Sequence, residues 1–129
     1  MSEWNYQGFS PEEFECKCGC GRAEMDSEFM RKMVNLRRAI GGPVIINSGF
    51  RCEDHNAAVG GSENSPHLEG KAADIRVKGR GAHYLIGRAE FCGFGGIGVS
   101  QKGDHGSRFI HVDNADQIPG RPRPWLWSY

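Results

Sequence analysis

The chain has 129 residues, enough for one domain with a real core and too few for two, so a single domain over 1–129 is expected. Its 16 basic and 16 acidic side chains cancel, so no long-range field draws in nucleic acid or an anionic membrane, and both drop out as partners. With 19 glycines and an apolar fraction of 38%, this is a loop-rich globular chain that gains from a staple such as a metal ion or a disulfide.

The opening MSEWNYQGFS is a polar arm without the basic-then-apolar layout of a signal peptide, and no later run reaches the ~18 apolar residues of a membrane span. The expectation is a product that is cytoplasmic as synthesised and does not insert in a membrane. Ser10-Pro11-Glu12-Glu13 then reads as a capping box that starts a short helical turn ending near Phe14. Cys16-Lys17-Cys18-Gly19-Cys20-Gly21 excludes regular structure and is a loop.

Asp26 caps a longer helix, in which Phe29, Met30, Met33, Val34 and Ile40 follow helical spacing, with Leu36 one position off, down to the stop Gly41-Gly42-Pro43. The methionines read as core. Val44 to Asn47 is a short β-branched run, a buried strand that delivers Ser48, Gly49 and Arg51 to its end. Cys52 to Ala58 makes a helical turn, Gly60 to Gly70 a loop, and Ala72 to Val77 a second strand carrying Asp74. Ala82 to Phe91 reads as helix, with Tyr84, Leu85, Arg88 and Ala89 on one side. Phe94 to Ser100 and Arg108 to Asn114 read as antiparallel strands around the turn Gln101 to Ser107. The tail, with Pro119, Pro122 and Pro124, reads as irregular, pinned to the body by Trp125 and Trp127.

The chemistry gathers in the middle of the chain. His67 and Asp74 stand seven apart across Gly70, and His111 arrives much later in the segment FIHVD. Two histidines and one carboxylate are the ligand set of a catalytic zinc ion, with a fourth position left to water. Neutral imidazoles and one ionised carboxylate leave the ion a net positive charge, which acidifies a bound water and polarises a carbonyl. The spacing HxxxxxxD alone is weak, because isolated histidines are usually structural. Side chains two apart on a strand share a face, so His111 and Asp113 point the same way while Ile110 and Val112 face the core.

Ser65-Pro66-His67-Leu68-Glu69-Gly70-Lys71-Ala72-Ala73-Asp74 fits SxHxxGxAxD, and His111-Val112-Asp113 fits HxD. With SGFRC, HNAAVGG and the Gly-Arg-Pro and Trp ending, the chain resembles the zinc D-Ala-D-Ala carboxypeptidases and endopeptidases of peptidase family M15, in their small bacterial and phage form. That family is structurally related to the hedgehog signalling domain. The resemblance implies an α+β fold, a small antiparallel sheet with flanking helices, and His67, Asp74 and His111 as zinc ligands. It implies a metallopeptidase acting on peptidoglycan stem peptides. A monomer is expected, and the lack of a leader peptide leads to the expectation of phage-type release to the cell wall. Arg51 stands where the family's arginine stabilises the oxyanion or binds a substrate carboxylate; its alternative is a salt bridge to Asp54 or Glu53. Ser65 orients the His67 loop or touches substrate.

One position departs from the pattern. Many members carry an acid three residues before the last zinc histidine, and here that residue is Arg108. Asp113 could replace it by hydrogen-bonding the zinc water, or it could orient the His111 imidazole. His105, in the turn before the strand, could also swing over the metal, as could Asp104. His55 and His83 read as surface or packing residues. The runner-up function is a non-catalytic, hedgehog-like zinc-containing module that binds cell wall or a partner protein.

The five cysteines leave several arrangements open. Cys16, Cys18, Cys20 and Cys52 could form a second, structural metal site, although knuckles usually space their ligands CxxC and CxCxC strains that geometry. A disulfide from the loop to Cys52 suits an oxidising location equally well. Free thiols are the third option, and the expected one for Cys92. A thiol-rich redox or metal-handling protein built on CKCGCG ranks last among the functions.

Overall fold

Phe29, Met30, Met33 and Leu36 are wholly buried, and covering that stripe arranges the rest of the chain. In the computed structural model, which describes residues 4–129, they lie on α2 (Ser27–Ile40), after the short α1 (Pro11–Phe14). The first three residues of the opening arm, and of the expected single domain, lie outside the described residues. Both helix starts follow their sequence signals: Asp26 accepts from the Phe29 amide at 2.9 Å, and Ser10 and Glu13 complete the capping box. Leu36 belongs to the stripe because a 3.6-residue repeat alternates steps of three and four. Each such side chain contributes roughly 1.5–3 kcal/mol by leaving water.

The stripe packs on a five-stranded sheet built from β1 (Ile45–Ser48), β2 (Ala72–Arg76), β3 (Gly96–Ser100), β4 (Phe109–Asp113) and β5 (Trp125–Ser128), in the order β1-β2-β4-β3-β5. The first four strands pair antiparallel and β5 adds in parallel to β3. Ala73 and Ile75 of β2, Ile97 of β3, and Ile110 and Val112 of β4 join α2 in one core. Two more helices complete the fold, α3 (Glu53–Ala58) and α4 (Gly79–Phe91).

The helix α4 starts at Gly79 rather than Ala82, without a side-chain cap from Lys78. Its first amide instead donates to Gln101 Oε1 at 3.3 Å, a partner 22 residues away that no local pattern reveals. Its buried face is Ala82, Leu85 and Ala89. Tyr84 and Arg88 lie on the solvent side, where the guanidinium stacks 5.2 Å from the ring centre. The first strand is displaced by one residue from the expected run and is an edge strand rather than a buried one, with Ile45 exposed.

The tail is the main correction. Its prolines suggested irregular chain, yet Trp125–Ser128 completes the sheet, with the Trp125 amide on Gly95 O at 2.8 Å and the Tyr129 amide on Val99 O at 3.1 Å. The open edge of β3 supplies the pairing that propensity does not announce.

Alternation in β2, β3 and β4 leaves Asp74, His111, Asp113, Gly96 and Gly98 on the face away from the core. The two glycines are there for space. A β-carbon on Gly96 would overlap the Asp113 carboxylate, and one on Gly98 would lie 2.6 Å from the Trp127 ring. Gly96→Ala is therefore expected to destabilise the fold by about 1–3 kcal/mol. Gly106→Ala, in open space, should stay within about 0.5 kcal/mol of the parent. Denaturant unfolding of both variants checks the contrast, and equal midpoints would refute it.

Candidate metal centre

The motif around His67 is a single capped turn. Pro66–Glu69 forms a 3-10 helix, Ser65 Oγ accepts from the His67 amide at 3.3 Å, and Gly70 closes it at φ +68°. Only glycine suits that closing position: besides the left-handed φ, a β-carbon there would collide with the Glu24 carbonyl. Asp26 N donates to Gly70 O at 2.9 Å, which ties the turn to the start of α2. Serine, proline, histidine and glycine thus aim one buried imidazole at the sheet.

Asp74 and His111 are direct cross-strand partners in β2 and β4. His111 Nδ1 lies 2.9 Å from Asp74 Oδ1, and His67 Nε2 lies 3.4 Å from the same oxygen. Each imidazole is held by its other nitrogen. His67 Nδ1 is 2.7 Å from Gly49 O, and His111 Nε2 is 2.7 Å from Asp113 Oδ2. A carbonyl only accepts, so His67 carries its proton on Nδ1, and the ionised Asp113 likewise draws the His111 proton to Nε2. His67 Nε2 and, once His111 has lost its second proton, His111 Nδ1 are the lone pairs that face Asp74. With ligand atoms within 4.8 Å of one another, this N, N, O set fits a tetrahedral zinc ion.

Charge is balanced among the side chains themselves. Burial raises the Asp74 pKa, but the imidazoles of His111 and His67 outweigh it and hold the carboxyl well below its usual range. Burial likewise opposes ionisation of Asp113, yet His111 and Arg123 bring it down to about 2. Arg123 grips both oxygens, Nε to Oδ1 at 2.9 Å and Nη2 to Oδ2 at 2.8 Å. In the metal-free protein burial lowers the His111 pKa, but hydrogen bonds to Asp113 and Asp74 prevail and raise it to about 8.

The three donors open into a cleft of about 540 Å3 whose walls include Arg51, Trp127 and Tyr129. Arg51 does not pair with Asp54 or Glu53. Its Nη1 donates to Asn56 Oδ1 at 2.8 Å, and Asn56 Nδ2 in turn donates to Ser62 O at 2.9 Å. Arg121 is paired with Glu69 and Arg123 with Asp113. Arg51 is thus the cleft arginine that keeps no carboxylate partner among the described residues. Ser65 caps the turn and also lines the cleft.

The structure places two of the candidate catalytic residues elsewhere. Asp113 has no solvent exposure, and its oxygens are taken by His111, Arg123 and the Ala115 amide, so it orients the imidazole rather than facing a water. His105 lies in the turn His105–Ser107, beside Arg76 and Val77 in a separate hollow, with Nδ1 3.1 Å from Lys78 Nζ. Arg108 is tied to Gly103 O at 3.2 Å. Asp74 is the one carboxylate lining the cleft among the described residues.

Sequence reasoning missed Arg123, Trp127 and Tyr129 as parts of the site. Trp127 stands 5.1 Å from the His111 ring centre, with the Arg123 guanidinium 5.3 Å from its own. Burial, then the nearby Asp74 charge, raises the Tyr129 pKa, which keeps its hydroxyl a donor. The available signal was the alternation of Trp125, Trp127 and Tyr129, which the preceding prolines masked.

Comparison with known proteins gives consistent findings. The sequence profile of the family described as Peptidase M15 matches residues 7–113. The chain is similar to a zinc D-Ala-D-Ala carboxypeptidase of Streptomyces albus G, 38% identical over 91 residues, which is 67% of this chain and 34% of that protein. It is also similar to a probable peptidoglycan L,D-endopeptidase of Haemophilus influenzae, 30% identical over 110 residues, 79% of this chain and 54% of that protein. The chain therefore spans about a third to a half of these relatives' lengths.

A proton on His111 competes with a metal ion for Nδ1. The raised pKa means that charged His111 stabilises the metal-free fold fully below about 6.5 and that this contribution is lost as pH rises through about 8. Zinc affinity should therefore climb about tenfold per pH unit up to about 8 and then level off, with about one proton released below it. Competition titration against a chromophoric chelator across this range checks it; a flat profile would contradict the account.

Proposed function

Because the chain belongs to the peptidase M15 family, we propose that it is a zinc metallopeptidase that hydrolyses amide bonds in peptidoglycan stem peptides. The observation that supports this most is the pair of imidazole lone pairs turned, with Asp74, toward one point in an open cleft. The substrate class rests on the names of the two similar proteins, a D-Ala-D-Ala carboxypeptidase and a peptidoglycan endopeptidase.

His67, Asp74 and His111 would hold the ion. When bound, zinc supplies a Lewis acid for the scissile carbonyl and lowers the pKa of a water toward ~7. Arg51, steadied by Asn56, presents its remaining N–H groups to the charge that develops on the carbonyl oxygen, or to a substrate carboxylate. Asp113, clamped by Arg123, keeps the His111 proton on Nε2 throughout. The aromatic wall of Trp125, Trp127 and Tyr129 offers an apolar seat for alanine methyl groups and limits water around the reacting amide. Asp74 meets both imidazoles through Oδ1, which suits it to a ligand's place beside them.

One observation favours a second reading. A carboxylate held far below its usual pKa is a poor proton acceptor, and Asp74 is such a group in a cleft that has no other carboxylate among the described residues. That combination suits a zinc-containing module that binds cell wall without cutting it. Zinc-loaded protein incubated with purified peptidoglycan separates the two: the peptidase releases new amino groups, the module sediments with the wall and releases none.

For the peptidase, release should stop with a chelator, return with added zinc, and vanish in His67→Ala. Arg51→Ala is expected to lower kcat by about 10²–10³. Asp113→Asn should cost about 10–100-fold in zinc affinity or activity through the His111 tautomer. Steady-state assays with metal analysis of each variant provide the check, and full activity in His67→Ala would sink the assignment.

A further inference from the structure

A second cluster of metal-ligating side chains lies outside the cleft. The sulfurs of Cys16, Cys18, Cys20 and Cys52 all lie within 4.8 Å of one another. Cys18 Sγ is 3.5 Å from Cys16 Sγ and 3.6 Å from Cys52 Sγ. Four thiolates about 2.3 Å from a tetrahedral zinc ion stand roughly 3.8 Å from one another, whereas disulfide sulfurs approach to about 2.05 Å. We propose that these four cysteines hold a second, structural zinc ion, independent of the one in the cleft and of any hydrolysis there.

The CxCxC spacing, awkward for a knuckle, is accommodated by the loop itself. Gly19 and Gly21 adopt φ of +88° and +80°, left-handed conformations that side chains resist. Gly19 N donates to Cys16 O at 3.4 Å, and Cys16 N donates to Arg22 O at 2.8 Å. The loop thereby curls until thiols two residues apart face one point. Backbone amides also serve the sulfurs: Cys52 N lies 3.3 Å from Cys16 Sγ, and His55 N lies 3.4 Å from Cys52 Sγ. Such donors stabilise thiolates, the form that binds metal.

The location explains what the ion is for. Cys52 follows Arg51 directly, Arg51 N donates to His67 O at 3.1 Å, and Gly49 O receives the His67 ring proton. Beneath them Cys16, Phe50 and Cys52 form a small apolar cluster, separate from the main core, against which Met25 packs. An ion joining Cys16, Cys18 and Cys20 to Cys52 closes a loop of more than 30 residues and fixes the segment that carries Arg51 and steers His67.

The test is zinc stoichiometry in the full chain, purified under reducing conditions, with cobalt substitution as a second readout. The parent should hold two zinc ions. His67→Ala should hold one and keep the near-ultraviolet thiolate-to-cobalt absorption. The double variant Cys18→Ser, Cys20→Ser, at exposed positions, should hold one and lose that absorption. If the double variant fails to fold, parent and His67→Ala still decide. One zinc in the parent, retained in His67→Ala with thiolate-to-cobalt absorption, would uphold this site and overturn the cleft instead. One zinc lost entirely in His67→Ala, four freely reactive thiols in the zinc-loaded parent, or a disulfide among these cysteines by mass spectrometry would overturn the proposal.

Discussion

The hydrogen bond between His111 Nε2 and the buried carboxylate of Asp113 is the interaction on which the centre depends. It settles which nitrogen of His111 has a lone pair to offer, and the Gly49 carbonyl does the same for His67. Without these two contacts either imidazole could turn its N–H toward Asp74 and the cluster would be a hydrogen-bonded patch, not a set of donors. Asp113 can stay ionised with no exposure to water because Arg123 neutralises it with two parallel hydrogen bonds. Burial, charge and tautomer are thus one arrangement.

That arrangement needs room on the sheet face away from the core. Gly96 and Gly98 provide it, one under Asp113 and the other under Trp127. Glycine weakens a strand by removing side-chain packing and adding backbone entropy to lose. Here the loss is offset by the carboxylate and indole that fill the space and by β5, which pairs along the same strand. The tail thereby contributes Arg123, Trp127 and Tyr129 to a site whose other members come from the middle of the chain.

Much of this was legible in the sequence where a local pattern had a local cause. Asp26 is readable as an N-cap, and His111 and Asp113 as neighbours on a strand face, whereas the capped turn Pro66–Glu69 falls in a stretch that reads only as loop. The resemblance to peptidase M15 named His67, Asp74 and His111, and the structure brings these three together. What could not be read depended on partners distant in sequence. Gln101 starts α4 from another turn, Arg123 closes over Asp113 only because β5 joins the sheet, and prolines hid β5. His105 looked available because a turn before a strand can fold either way; here it folds toward Lys78.

The central claim is a statement about which atoms face the ion, and anomalous diffraction at the zinc edge from crystals of the zinc-loaded protein tests it most directly. The account predicts, apart from any peak at the four cysteines, an anomalous peak bonded to His67 Nε2, His111 Nδ1 and a carboxylate oxygen of Asp74, with Asp113 still on His111 Nε2. A peak bonded through His111 Nε2, or none between these three side chains, would contradict it.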